Sequence, residues 1–292
     1  MEQSRFQSII RKYDKIFSDY YVRSKKDVLP ILSKQRQKYD FILKKINSFY
    51  FITNFLSQFS GMKTNVVEEN SLFTIYNKSA LDLLSIFYCL YNGLEIQAGI
   101  ILRSLYETYI YNDFIFKEHT KEKLRLFYEF QFVERWIHIV ESVKFNSNYF
   151  QDMNLSQTDI EAIKLKYDKY KDNYHPKYPY SWAFKYFNRN PSLLEICKYL
   201  GDEYVREYIS VYGVSSKQIH LSAMIGDYFT ANEDKIKISL NSPQYKDTIV
   251  STGIVSLEYC SYVILDIIKY FRIKNYNEIS TYIKHFFRYF YY

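Results

Sequence analysis

Seven glycines and five prolines are all that punctuate a chain of 292 residues. Sheet-rich folds need many tight reversals, and those reversals draw on Gly and Pro, so a chain this poor in both is better suited to long helices with short connections. Between the few breaks, apolar and aromatic residues recur at helical spacing, as at Ile31, Tyr39, Ile42, Leu43, Ile46 and Tyr50. The fold expected is all-α: a helical bundle with an N-terminal helical extension and a C-terminal aromatic helix. The length is enough for one substantial core.

Residues 4–22 and 29–60 read as two N-terminal helices, with Pro30 near the start of the second. After a polar break at Gly61-Met-Lys-Thr-Asn, a strongly apolar helix from Leu72 to Tyr91 stops at Asn92-Gly93, a left-handed cap signal. Further helices are predicted over 94–117 and 121–143, and from Ser156-Gln-Thr-Asp159 onward. The segment from Tyr174 to Trp182 is irregular, because each of its prolines biases the preceding residue away from helical geometry. Ser192 opens a helix to Gly201, 203–212 continues it, Gly213 interrupts, and Ser215 or Ser216 caps a helix carrying His220. A last long helix spans 245–271, and a basic aromatic segment closes the chain at 279–292. Three units follow: an extension over 1–60, a bundle over 64–275, and the closing segment over 276–292.

The formal charge of +7 permits contact with an anionic partner without requiring it. Between Lys164 and Asn190 lie seven Lys or Arg, two Asp and six Tyr. Lys164, Lys166, Lys169, Lys171, Tyr178, Trp182, Lys185 and Arg189 therefore form a candidate RNA-binding patch, in which cations hold phosphates and aromatic faces stack bases. The competing reading is compositional, since Tyr, Lys, Ile and Asn are abundant throughout, as an AT-rich genome would produce. Cys89, Cys197 and Cys260 sit far apart in apolar runs and read as buried thiols of a reduced protein. The first residues lack the apolar stretch of a signal peptide, and no run approaches about 18 uncharged apolar residues. The expectation is a cytoplasmic chain with no membrane span.

The chemistry-bearing residues concentrate in Gly99-Ile-Ile-Leu-Arg103-Ser-Leu-Tyr-Glu107 and in Ser216-Lys-Gln-Ile-His220. Arg103 and Glu107 share a helix face one turn apart, among neighbours such as Ile101, Leu102 and Leu105 that suit burial. His220 lies one turn after Ser216 and near the face that carries Asp227. A histidine there can exchange protons near neutral pH, Arg103 can hold a phosphate, Glu107 can orient either, and Ser216 can donate a positioning hydrogen bond. The same residues can instead satisfy one another as a buried lock between helices. His119, His138, His175 and His285 have no metal-ligand spacing, and no phosphate-binding glycine loop, dinucleotide fingerprint or nucleophile elbow occurs. No metal and no cofactor is implied.

The run from Leu84 to Phe116, followed by Trp182, Leu194-Glu-Ile, Tyr199-Leu-Gly201, Tyr204, Tyr208, Tyr212 and Ser216-x-x-x-His220-x-Ser222, resembles a widespread bacterial family of uncharacterised helical proteins. Its members share an Arg-Ser-x-x-Glu helix, and the resemblance covers roughly residues 72–227. That family in turn resembles the higher-eukaryote-and-prokaryote nucleotide-binding (HEPN-like) helical domains. The resemblance implies an all-helical homo-oligomer acting as a metal-independent ribonuclease in antiphage defence or abortive infection, with RNA and a cognate antitoxin or companion defence protein as partners. One departure stands out: those ribonucleases carry an Arg followed by four to six residues and then a His on one helix, no Arg here has a His at that spacing, and the expectation is that Arg103 and His220 supply the same groups from different helices. A non-enzymatic interaction subunit of a defence complex is the alternative function.

Overall fold

The computed structural model describes residues 36–59, 61–146, 148–175, 178–213, 229–232, 235–238 and 248–288, with scattered positions between 11 and 34. Ser216, His220 and Asp227 lie outside the described residues, as do most of the expected first helix and residues 289–292.

The centre of the bundle is a hairpin of two long helices, α1 having preceded it. Helix α1 spans Asp40–Phe59, α2 Asn70–Tyr91 and α3 Glu95–Lys117. The reversal between α2 and α3 is made where the sequence places it: Gly93 has φ +71°, and the Leu94 amide reaches back to the Cys89 carbonyl at 2.8 Å. Only a residue without a β-carbon adopts that backbone without cost. A late helix, α4, spanning Thr248–Tyr270 and numbered here by its place in the core, packs across both helices of the hairpin and against α1.

Leu83 and Ile86 from α2, Leu105 and Ile110 from α3, and Ile264 and Ile267 from α4 are fully buried where these helices meet. Ile42, Ile46 and Phe49 bring α1 into the same core, so the expected boundary at residue 60 coincides with no break in packing. Local periodicity shows that a helix has an apolar stripe but not what the stripe packs against, which is why 40–59 reads as an extension from sequence. Gly253 permits a close crossing of α1 and α4: a β-carbon there would meet Ile42 Cγ1 at 2.6 Å. Buried hydroxyls in these helices turn back onto their own backbone, Ser79 to the Ile75 carbonyl at 2.9 Å and Ser256 to the Gly253 carbonyl at 2.9 Å. By length and composition, residues 249–270 of α4 also suit a membrane crossing, yet 61% of that window is buried inside the bundle.

A second layer covers the outer side of α3. It consists of α5, Thr120–Phe145, and α6, Gln157–Tyr170, which opens with a reciprocal cap between Ser156 and Asp159. The irregular segment after α6 tucks a short 3₁₀ turn, Ser181–Ala183, against α5. Helix α7, Leu193–Leu200, is capped by Ser192 and Glu195 and lies on α3. It leads into α8, Asp202–Glu207, which passes without a break into a π-helical turn over Tyr208–Gly213. Helix α9, Tyr276–Arg288, follows α4 and buries Ile283.

The described residues form the expected all-α helical bundle, with one short ribbon added to it. An antiparallel ribbon pairs β1, Phe229–Asn232, with β2, Lys235–Ile238, in the register Phe229 to Ile238. Lys-Ile-Lys-Ile alternates with period two, which a helix cannot use and a strand can.

Candidate functional site

Arg103 and Glu107 emerge from one face of α3, as their spacing predicts, but no ion pair within 4.0 Å joins them among the described residues. Tyrosines stand between them instead. Arg103 Nη2 donates to the Tyr212 hydroxyl at 2.6 Å, and the guanidinium carbon lies 4.3 Å from the centroid of the same ring. Arg103 Nε is buried and has no hydrogen-bond partner among the described residues. Glu107 Oε1 accepts from Tyr111 at 2.8 Å and from Tyr180 at 3.0 Å. Tyr212 thus serves the guanidinium, while Tyr111 and Tyr180 serve the carboxylate.

Each member is placed by a different element. Tyr180 is held by the turn before Ser181–Ala183, where the Ser181 amide bonds the Tyr178 carbonyl at 3.1 Å. Tyr212 is presented by the π-helical turn and stacks on Tyr208 with centroids 5.0 Å apart. Burial, reinforced by the negative charge of Glu107, pushes the phenols of Tyr111 and Tyr180 well above their ordinary value. Both therefore remain hydrogen-bond donors throughout the neutral range. The arrangement is a half-buried cation on the same helix face as a carboxylate that accepts two tyrosine hydroxyls, and the cation suits anion binding.

One turn and a half further along α3 lies a second polar cluster that the sequence reading missed. The Tyr204 hydroxyl donates to Asp113 at 2.7 Å, and Asn112 donates to Asp266 at 3.0 Å. Burial, with a contribution from the nearby Asp266, raises the Asp113 carboxyl to about 7, and burial raises Asp266 and Glu207 as well. Tyr109 and Tyr259 stack within the cluster at 4.8 Å. Asn112-Asp113 inside an otherwise apolar helix was the available signal. Among the described residues, no group of three or more His, Cys, Asp or Glu is placed to hold a metal ion.

Of the candidate RNA-binding residues, Trp182 is the one that does not reach the surface. Trp182 is buried in the core, with its ring edge-on to Phe127 at 5.1 Å and Phe114 at 5.4 Å, so it offers no face to a base. Lys185 is paired with Glu122 and Arg189 with Glu195. Lys171 bonds Asp168 at 3.0 Å, and Lys166 lies over the Phe132 ring at 4.2 Å. Lys164 and Lys169 are exposed on α6, and Tyr178 is exposed on the following segment. Cation–aromatic interleaving in this stretch thus mostly serves packing and local ion pairs.

A family model matches residues 70–236, a span that begins with α2 and includes Arg103, Glu107, Tyr180 and Tyr212. The chain belongs to DUF5677. It is described as a family of unknown function, and its span agrees with the resemblance to an uncharacterised helical family carried by residues 72–227. No curated protein and no solved structure matches the chain. The DUF5677 span also takes in Ser216 and His220, while α1 and α4, which complete the core around Arg103's helix, fall outside it.

Proposed function

We propose that this DUF5677 chain is a metal-independent ribonuclease-type effector related to the HEPN-like domains, acting in the cytoplasm in antiphage defence or abortive infection. Arg103 clamps a backbone phosphate, Glu107 orients the site, His220 acts as general acid and base, and Ser216 donates a positioning hydrogen bond. The observation that supports this reading is the guanidinium itself. It is half-buried, and among the described residues it has no carboxylate partner, is held by a neutral tyrosine, and keeps Nε without a hydrogen bond. A buried arginine serving stability alone is normally neutralised by a carboxylate, whereas one left with donors in hand matches the geometry of phosphate oxygens. RNA and a companion defence protein are the partners, and the chain acts as a homo-oligomer.

The test is induced expression of wild type, Arg103→Ala, Arg103→Lys and His220→Ala, with growth and total RNA followed. Growth arrest with discrete RNA fragments is expected from wild type alone, and purified variants should melt near the wild-type temperature. Unchanged RNA cleavage in soluble Arg103→Ala and His220→Ala sinks the reading. A second reading, a non-enzymatic interaction subunit, is favoured by one observation: Glu107 already has two tyrosine donors, so the cluster ties α3 to the 180 turn and the π-helical turn. On that reading Arg103→Ala lowers the melting temperature sharply and RNA stays intact in every strain.

A further inference from the structure

The π-helical turn over Tyr208–Gly213 is continuous with α8, and it is the element that sets Tyr212 on Arg103. A π turn holds one more residue than the α-helix it interrupts, and such turns occur mostly at functional sites. Its return to α geometry shifts the chain by one residue, which turns a side chain about 100° around the helix axis. The turn includes Gly213, a residue with the widest choice of backbone angles and so able to absorb the shift.

Tyr212 occupies the guanidinium in two ways. Its hydroxyl takes Nη2, and its ring lies against the guanidinium plane. Those are the positions through which an arginine engages a phosphate oxygen and a stacked base. The hydroxyl contact, at 2.6 Å, is the latch that holds this cover on the guanidinium. The latch leaves Arg103 Nε unpaired in a buried position, a penalty that a bidentate anion removes and Tyr212 does not. The α8 end of the lever is anchored independently: Tyr106 donates to the Tyr204 carbonyl at 2.8 Å, and Tyr204 is tied to Asp113. Movement is therefore confined to the residues after Glu207.

We propose that residues 208–213 are a register switch closing the Arg103 site: in the π register Tyr212 covers the guanidinium, and in the α register Arg103 is open to a nucleic-acid phosphate. This rests on the reading of Arg103 as a phosphate clamp and concerns its regulation. Ligand binding and the α register are coupled reciprocally, since a phosphate binds one register and not the other.

The test measures binding of a short 2′-O-methyl oligouridylate, which resists cleavage through the 2′-hydroxyl, by fluorescence anisotropy on the full chain. Tyr212→Phe removes the hydroxyl latch and keeps the ring, and deletion of the exposed Ile209 removes the extra residue. Loss of one hydrogen bond to the guanidinium predicts about five-fold tighter binding for Tyr212→Phe, and loss of the whole cover about ten-fold or more for the deletion. Both gains should vanish when Arg103→Ala is added. In wild type, the oligonucleotide should speed hydrogen exchange of the 208–213 amides. Equal affinity of wild type and Tyr212→Phe, with binding lost in Arg103→Ala, overturns the switch and leaves the clamp standing. Binding indifferent to Arg103→Ala overturns both. Tyr212→Phe decides the matter alone if the deletion does not fold.

Discussion

Asp113 gives the folded chain a pH dependence that can be worked out in sign and size. Its carboxyl stands at about 7 because burial penalises the ionised form more than the hydrogen bonds from Tyr204 and Asn112 favour it. The unfolded chain returns it to an ordinary aspartate near 3.8. Between those two values the folded state holds a proton that the unfolded state has released, so stability falls as pH rises from about 4 to about 7 and then levels. A rise from 3.8 to about 7 corresponds to a penalty of about 4 kcal/mol for the ionised form. Asp113 is part-exposed, and solvent screening at that edge reduces the working figure to about 2 kcal/mol. Asp113→Asn removes the titrating group and keeps an acceptor for Tyr204. Urea unfolding of both proteins from about pH 4.5 to about pH 8 should show near-equal stability at the acid end and the variant ahead by about 2 kcal/mol at the basic end. A shallower decline remains in the variant, because burial raises Asp266 and Glu207 too. Parallel curves for the two proteins would falsify the placement of Asp113 in a desolvating pocket.

Trp182→Ala should cost about 3–5 kcal/mol by calorimetry, because the lost ring fills the space among Tyr111, Phe114 and Phe127. A loss under about 1 kcal/mol would instead return Trp182 to the surface patch. Gly253→Ala drives a β-carbon onto Ile42 and should cost about 1–3 kcal/mol, with Ile42→Val recovering part of it. No recovery in the double variant would mean that α1 does not cross α4 at this point.

The helices are legible in the sequence because their signals are local. The Asn92-Gly93 stop, the Ser156 and Ser192 caps, and the scarcity of other breaks fix where helices begin and end. What the helices pack against is set elsewhere in the chain. Arg103 and Tyr212 are 109 residues apart, and nothing distinguishes Tyr212 from the other members of a set of 33 tyrosines. The same abundance makes the stretch around Trp182 look like a base-stacking surface, although a buried ring and an exposed one have the same local sequence pattern. The π turn is equally hidden, since a single extra residue in one turn leaves no pattern that six residues of sequence can show.

Tyrosine hydroxyls, rather than opposite charges, satisfy the polar groups along α3. Tyr111 and Tyr180 serve Glu107, Tyr212 serves Arg103, and Tyr204 serves Asp113. A neutral donor costs far less to bury than a second ion, yet it leaves the charge of its partner uncancelled. A carboxylate on Arg103 would have to be displaced against a strong Coulomb attraction before any phosphate could enter. A tyrosine can be displaced at the cost of one modest hydrogen bond and one ring contact. The helix can thus carry an arginine, a glutamate and an aspartate through the middle of an apolar bundle while keeping the arginine available to an anion. That availability is what separates a site from an internal lock, and substitution of Tyr212 tests it without touching the arginine.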